Sequence, residues 1–150
     1  MKKIVIINGP NLNFLGIREK SVYGKMNYEE VVQYVMDYAQ KVKIDLDVFQ
    51  SNCEGEIIDR LQQCYYDGVD GIIINPGAYT HYSYAIRDAI ASVMIPTIEI
   101  HISNIYEREE FRKVSVVKDV CISQIYGKGI KGYIEALEYF LLMKKVPTSK

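Results

Sequence analysis

The sequence of 150 residues has no tryptophan and only two histidines, His81 and His101. It also lacks an excess of one charge, because 18 lysines and arginines face 19 aspartates and glutamates, for a formal net charge of −1. Binding to nucleic acid or to an anionic membrane depends largely on positive charge, so this balance gives no reason to expect either partner. The expected partner is a small molecule or another protein.

Long apolar stretches and cysteine pairs are also missing. No run approaches the roughly 20 apolar residues of a membrane helix, and a Gly-Pro pair at positions 9 and 10 interrupts the first apolar run before a signal-peptide core could form. The cysteines Cys53, Cys64 and Cys121 show no Cys-x-x-Cys spacing and are expected to be reduced thiols, not metal ligands. We therefore expect a cytoplasmic protein with a single domain, residues 1–150.

Short β-branched runs alternate with longer amphipathic segments, which is the pattern of successive βαβ units. The continuous run of isoleucines at positions 72–74 suits a strand buried on both faces of a parallel sheet. The sequence thus predicts a three-layer α/β fold, a flavodoxin-like doubly wound sheet of five parallel strands between helices. The predicted strands are 4–7, 46–49, 71–75, 95–100 and 116–122, and the predicted helical segments are 28–42, 56–66, 80 or 81 to 91, 107–111 and 133–144.

Three polar segments follow predicted strands, at the edge of the sheet where such folds bind ligands. They are residues 8–23, 75–81 and 101–112, and they contain both histidines. Histidine exchanges protons near neutral pH because its unperturbed pKa is about 6.5. The first segment is long for a strand-to-helix connection and is predicted to be a lid loop, about residues 8–25. Residues 146–150 are expected to fray.

The lid segment does not carry the common phosphate-binding motifs. It matches neither G-x-G-x-x-G nor G-x-x-x-x-G-K-[ST], so a dinucleotide site and a P-loop are not indicated. A magnesium-dependent phospho-receiver of the same fold would need acidic residues after the first strand, where this chain has Asn8.

Several motifs in fixed order give the chain a specific resemblance. They are Asn8-Gly-Pro-Asn-Leu-Asn with Arg18 and Tyr23 downstream, Gln50-Ser-Asn with Glu54-Gly-Glu, Asn75-Pro-Gly-Ala-Tyr-Thr-His81, Arg87-Asp-Ala, and Glu99-Ile-His-Ile-Ser-Asn104 followed by Arg108-Glu-Glu-Phe-Arg112. On these motifs, from residue 6 to about residue 141, the sequence resembles the type II 3-dehydroquinate dehydratases. It departs from them at Cys53, where the family commonly has histidine, and at Lys113-Val114, which replaces an aromatic or histidine-containing pair.

The resemblance implies a hydro-lyase of the shikimate pathway, which serves the biosynthesis of chorismate and aromatic amino acids. The implied reaction is an anti elimination of water from 3-dehydroquinate through an enolate, without metal, cofactor or Schiff base. Tyr23 is the implied general base, although a free phenol with a pKa of about 10 is mostly protonated at neutral pH. Arg18, five residues earlier, is the cation expected to favour the phenolate.

The implied general acid is His101, which protonates the departing hydroxyl group. Glu99 lies two residues away on the same strand face, where its carboxylate can orient the imidazole and stabilise its charged form. Asn11 resembles the family residue that holds a water at the enolate oxygen, where charge develops in the transition state.

The resemblance also implies a substrate-binding set and an assembly. The implied substrate contacts are Asn75, His81, the backbone of Ile102 and Ser103, the guanidinium of Arg112, and Asp88 from a neighbouring subunit. A site completed by a second subunit requires a homo-oligomer, and the family assembly is a dodecamer built as four trimers.

Other interpretations stay open when the residues are considered singly. A histidine at a strand end is more often structural than catalytic, and Asn11 and Asn75 lie beside Gly-Pro and Pro-Gly as turn residues often do. The tyrosines at positions 65–66 and 82–84 are predicted to be core or subunit-contact residues. Two alternative classes remain, a non-catalytic flavodoxin-like binding or signalling module and an anion-binding lyase with another small acid as its substrate.

Overall fold

The computed structural model describes residues 1–17, 21 and 25–144, in which five parallel strands form one sheet in the order β2-β1-β3-β4-β5. This order confirms the flavodoxin-like, doubly wound sheet predicted from the sequence. The strands are β1 (Lys3–Asn8), β2 (Asp45–Gln50), β3 (Gly71–Asn75), β4 (Thr97–Ile100) and β5 (Ser123–Ile125), and the α-helices are α1 (Tyr28–Lys41), α2 (Glu54–Tyr66), α3 (Tyr84–Val93) and α4 (Lys131–Leu142).

Helices cover both faces of the sheet, because the central strands carry apolar side chains in both directions. Ile73 of β3 packs in the cluster with α1 and α4, whereas Ile72 and Ile74 pack in the cluster with α2 and α3. All three side chains are fully buried. Across the described ranges, no helix has both the length and the apolar character needed to cross a bilayer.

The loops that leave the carboxyl ends of β1 and β3 lie in close contact. Asn8 and Asn75 are paired in the parallel register, and the N–H of Gly9 donates to the carbonyl of Asn75 at 2.7 Å. A Cβ atom at Gly9 would lie 2.6 Å from the carbonyl oxygen of Pro76. Glycine therefore allows the two loops that leave these strands to run side by side.

A fifth strand is present, but its predicted bounds, 116–122, are wrong. The strand β5 begins at Ser123, after a first backbone hydrogen bond from the N–H of Ile122 to the carbonyl of Thr97 at 2.8 Å. Most of the predicted range lies before this point and contains a 3-10 turn at Lys118–Val120. The β-branched pair at 116–117 causes the error, since Val117 is fully buried in the cluster with α2 and α3 and is not part of a strand. The side chains of β5 consequently come from residues that the sequence pattern assigns to a loop.

The predicted helix start at residue 80 or 81 is also wrong. Residues Gly77–His81 form a 3-10 helix, and α3 begins at Tyr84 after Ser83, whose Oγ accepts the N–H of Ile86 at 3.0 Å. The short helical turn predicted at 107–111 is present as two separate 3-10 turns with other bounds, Ile105–Glu107 and Glu110–Lys113. By contrast α1 begins where predicted, because Asn27 and Glu30 form a reciprocal capping box.

The paired tyrosines outside the sheet are not core residues. The exposed fractions of Tyr65, Tyr66, Tyr82 and Tyr84 range from 59% to 78%. The core alternative is therefore wrong for these four residues, and their role as subunit contacts stays a prediction. The predicted frayed tail, 146–150, lies outside the described residues.

Candidate active site

The carboxyl ends of β1, β3 and β4 border a cavity of about 130 Å³. The three strands are neighbours in the sheet, so the segments that follow them converge although they are far apart in the sequence. Seven of the predicted site residues line this cavity, namely Asn11, Asn75, His81, His101, Ile102, Ser103 and Arg112.

A buried histidine–carboxylate pair lies at the end of β4. The Nε2 atom of His101 is 2.5 Å from Oε2 of Glu99. The exposed fractions of these residues are 5% and 0%, so water does not screen the interaction. The contact expected from their two-residue spacing is therefore present. It engages Nε2 of His101, so Nδ1 is the ring nitrogen that Glu99 does not contact.

Further hydrogen bonds hold the carboxylate of Glu99. The hydroxyl of Ser115 lies 2.9 and 3.0 Å from its two oxygens, and Nε2 of Gln124 donates to Oε2 at 2.9 Å. Tyr106 in turn donates to Oε1 of Gln124 at 2.7 Å. Burial by itself raises the pKa of Glu99, but the hydrogen bond and charge of His101 and the hydrogen bonds from Gln124 and Ser115 outweigh it and leave the pKa below its ordinary value. The carboxylate is therefore charged at neutral pH and can stabilise an imidazolium.

His81 is held in one tautomer. Its Nδ1 lies 2.7 Å from the carbonyl oxygen of Val114, which can only accept, so Nδ1 carries the hydrogen in the neutral ring. Burial lowers the pKa of His81, and the charges of His101 and Arg112 act in the same direction, against the hydrogen bond to Val114. At neutral pH the ring is thus uncharged, and its Nε2 is a hydrogen-bond acceptor.

Two guanidinium groups give the cavity its charge. Arg108 and Arg112 line it, and among the residues that the structure describes no carboxylate does. The Nε of Arg112 donates to Glu109 at 2.5 Å, and its guanidinium carbon lies 4.7 Å from the centre of the Phe111 ring. Arg108 also lines the cavity, although the sequence analysis assigns it no role and names it only as the first arginine of the motif that ends at Arg112. The charge favours an anionic ligand.

The two asparagines of the site have different environments. Asn11 is exposed and has a left-handed backbone with φ of 67°. Its backbone N–H donates a hydrogen bond to Oδ1 of Asn52 at 3.0 Å. Asn75 is only 3% exposed, and its Oδ1 accepts the N–H of Gly77 at 3.3 Å. Both conformations suit turn-forming asparagine, and both residues also line the cavity.

Four predicted site residues are not among the described residues that line the cavity, and one of them, Glu99, supports the site through its contact with His101. Arg18 and Tyr23 lie outside the described residues, so their roles stay predictions. Asp88 is exposed on α3 and does not line the cavity of its own chain. Ser115 and Gln124 support Glu99 without having been marked by any motif, and Gln124 could not be placed because it follows the wrongly predicted strand.

The fold and the site together define an α/β protein suited to acid–base chemistry on an anionic small molecule. The sequence matches the family described as Dehydroquinase class II over residues 2–141. It is 58% identical over 146 residues to a 3-dehydroquinate dehydratase of Lachnospira eligens, covering 95% of this chain and 99% of that protein. It is 61% identical over 137 residues to a 3-dehydroquinate dehydratase of Caldicellulosiruptor bescii, covering 91% and 94%.

A solved structure agrees with the sequence relatives. The crystal structure of type II dehydroquinase from Butyrivibrio crossotus superposes with a TM-score of 0.92 at 59% identity, covering 93% of this chain and 97% of that chain. The chain belongs to the class II dehydroquinase family.

Proposed function

We propose that this chain is a hydro-lyase that converts 3-dehydroquinate to 3-dehydroshikimate in the shikimate pathway. Its family and its relatives support this activity. The observation that carries the assignment is the buried Glu99–His101 pair beside a cavity with two arginines. The pair supplies a proton donor for the leaving hydroxyl, and the arginines suit a substrate with a carboxylate.

The first step removes a proton from the carbon beside the ketone. Tyr23, as the phenolate, takes this proton, and the C–H electrons move to the ketone oxygen to form an enolate. Arg18 favours the phenolate by its charge, and both residues enter this scheme through the sequence resemblance. Asn11, which lines the cavity, holds a water against the enolate oxygen in this scheme, a role that it takes from the sequence resemblance.

The second step expels the hydroxyl group on the next carbon. The enolate electrons form the new carbon–carbon double bond, the C–O bond breaks, and a proton from His101 converts the leaving group to water. Because Nε2 is engaged by Glu99, Nδ1 is the nitrogen available to deliver this proton. The buried carboxylate stabilises the imidazolium before transfer and keeps the ring in one orientation.

Substrate binding follows from the remaining lining groups. The planar guanidinium of Arg112 suits the substrate carboxylate, which would replace Glu109 as its partner. This exchange costs little because the Glu109 side chain is 57% exposed. The Nε2 acceptor of His81 fits a substrate hydroxyl, and Asn75 and the backbone at Ile102 and Ser103 complete the binding set.

The assembly remains part of the proposal. Asp88 lies on α3 outside its own cavity, and the exposed Tyr84 is on the same helix. Both positions are compatible with a neighbouring subunit, as a dodecamer of four trimers requires. Light scattering of the purified protein would measure the mass, and a monomer at assay concentration with full activity would contradict a site shared between subunits. The cytoplasmic location likewise stays a prediction.

The activity is tested by adding 3-dehydroquinate and following the ultraviolet absorbance of the conjugated enone product. We expect turnover by the unaltered chain and by Tyr66→Phe, a matched control at an exposed position outside the cavity. Turnover should survive treatment with borohydride and substrate, since no imine forms. Binding without product would favour a non-catalytic module, whereas no response to this substrate would favour another small acid.

A further inference from the structure

A buried group of three polar side chains lies beneath the cavity, and we name it the Asn–Tyr cluster. It consists of Asn8 at the end of β1, Asn75 at the end of β3 and Tyr133 in α4. The hydroxyl of Tyr133 donates to Oδ1 of Asn8 at 2.6 Å, and Nδ2 of Asn75 donates to the Tyr133 oxygen at 3.2 Å. None of the three is more than 3% exposed, so these bonds do not compete with solvent.

The direction of each bond follows from the number of hydrogens available. A phenol has a single hydrogen, and in Tyr133 it goes to Asn8. Asn8 accepts it because its own Nδ2 is turned towards the hydroxyl of Tyr28, at 3.4 Å. Burial raises the pKa of Tyr133, which keeps the hydroxyl protonated. The Tyr133 oxygen is therefore left as an acceptor for Asn75.

The available donors and acceptors also determine the orientation of the Asn75 amide. Its Nδ2 faces the Tyr133 oxygen, and its Oδ1 faces the N–H of Gly77 at 3.3 Å. If the Asn75 amide were turned over, its Oδ1 would face the Tyr133 oxygen and its Nδ2 would face the N–H of Gly77. Both hydrogen bonds would then be lost. A buried polar group left without its partner costs about 1–3 kcal/mol. One hydrogen on Nδ2 remains for a ligand in the cavity that Asn75 lines.

We propose that Tyr133 is a positioning residue, whose hydroxyl holds the Asn75 amide in the orientation that offers an N–H donor to a substrate oxygen. The inference rests on the proposed function, because it takes 3-dehydroquinate as the ligand. Tyr133 acts on binding through Asn75 and does not take part in the proton transfers.

The test uses Tyr133→Phe, which keeps the buried ring and removes only the hydroxyl. We expect KM for 3-dehydroquinate to rise about tenfold, the effect of one hydrogen bond, while kcat falls less than about threefold. Tyr139→Phe is the matched control, since it removes a hydroxyl from an exposed tyrosine of the same helix and leaves the Asn75–Tyr133 bond in place. Its KM should stay within about twofold of the unaltered value.

A double variant separates positioning from general stability. In an Asn75→Ala background, Tyr133→Phe should cause no further rise in KM, because the group through which it acts is gone. Two multiplying KM effects, or an unaltered KM in Tyr133→Phe, would overturn the inference while leaving the activity assignment intact. Absence of turnover in the unaltered chain would instead overturn the proposed function.

A second variant covers the case in which Tyr133→Phe does not fold. Asn8→Leu keeps a side chain of similar shape and removes the acceptor that takes the Tyr133 hydrogen. The freed hydroxyl hydrogen then competes with Nδ2 of Asn75, so KM should rise with little loss of kcat. An unaltered KM in a folded Asn8→Leu protein would contradict the positioning role.

Discussion

Two polar clusters lie under the same cavity and differ in kind. The Glu99 cluster, which contains Glu99, His101, Ser115 and Gln124, holds a full negative charge and a titratable ring at the junction of β4 and β5. The Asn–Tyr cluster holds neutral groups at the junction of β1 and β3. A group that gains or loses a proton can take part in proton transfer, whereas a neutral buried hydrogen-bond network fixes the orientation of its side chains. We therefore expect the first cluster to govern kcat and the second to govern KM.

The largest effect is expected from the group that donates the proton. His101→Ala should lower kcat by about 10²- to 10⁴-fold, the usual contribution of general acid catalysis. The enone absorbance assay measures this loss at saturating 3-dehydroquinate. His81→Ala is a useful comparison, because it removes the other histidine and should raise KM more than it lowers kcat. A kcat for His101→Ala within threefold of the unaltered chain would contradict the role of His101 as the proton donor, and with it the claim that the Glu99 cluster governs kcat.

The next effect comes from the charge beneath that imidazole. Glu99→Gln preserves the volume of the side chain but removes the negative charge, so kcat should fall about 10- to 100-fold, as expected for a lost charge-assisted hydrogen bond of about 1.5–3 kcal/mol. Steady-state kinetics measure kcat and KM separately. A rise in KM without loss of kcat would place Glu99 with the binding groups instead.

The stability of the Glu99 cluster should depend on pH in a way that the neutral cluster does not share. The folded-state pKa of Glu99 lies below its ordinary value of 4.5, so its stabilising contribution is present above that pH and is lost as the pH falls through the folded-state value. Urea unfolding between about pH 3 and pH 6 should show the stability difference between the unaltered chain and Glu99→Gln shrinking on the acid side. A difference that is constant with pH would contradict an ionised, stabilised carboxylate.

A smaller effect on kcat is expected from Gln124, a hydrogen-bond donor to Glu99. Gln124→Leu removes a donor to Glu99 and the acceptor for Tyr106, while Ser115 and His101 still contact the carboxylate. With these donors retained, kcat should fall by no more than about tenfold, roughly one hydrogen bond. KM should stay nearly unaltered, as expected for a member of the cluster that governs kcat. Equal changes in kcat and KM would show that the two clusters do not have separate effects on catalysis and binding.

The smallest predicted effect is a shift in one titration. The pKa of His81 should lie below 6.5 because burial disfavours its charged form. Proton NMR can follow both imidazoles, since the chain has only two histidines, and His81→Gln assigns the signals. A midpoint above 6.5 would mean that the ring is charged more readily than in water and would exclude its role as a neutral acceptor.

The sequence indicates the Glu99 cluster better than the Asn–Tyr cluster for a physical reason. Glu99 lies on β4 and His101 follows that strand directly, two residues later, so the period of an extended chain places them on the same side. Tyr133 is recognisable only as an inward residue of the last helix, because periodicity identifies a buried face without telling which polar atom the hydroxyl meets. Gln124 is missed because the β-branched pair at 116–117 resembles a strand but packs against helices.

The boundaries of the sheet show the same division. The predicted bounds of the strand 71–75 agree with those of β3 at both ends. A short continuous isoleucine run is typical of a strand that is buried on both faces of a parallel sheet. The helix predicted from residue 80 or 81 is wrong because the cap at Ser83, and not hydrophobic period, decides where α3 begins. Local pattern thus predicts buried strands well, whereas positions set by single hydrogen bonds need the three-dimensional structure.

The division between the clusters is tested most directly by measuring kcat for Glu99→Gln and Tyr133→Phe side by side at saturating 3-dehydroquinate. Each variant removes one polar function from a buried site while nearly preserving volume. The expected result is a loss of kcat at least about threefold larger in Glu99→Gln than in Tyr133→Phe. Equal losses, or a larger loss in Tyr133→Phe, would contradict the assignment of proton transfer to one cluster and substrate positioning to the other.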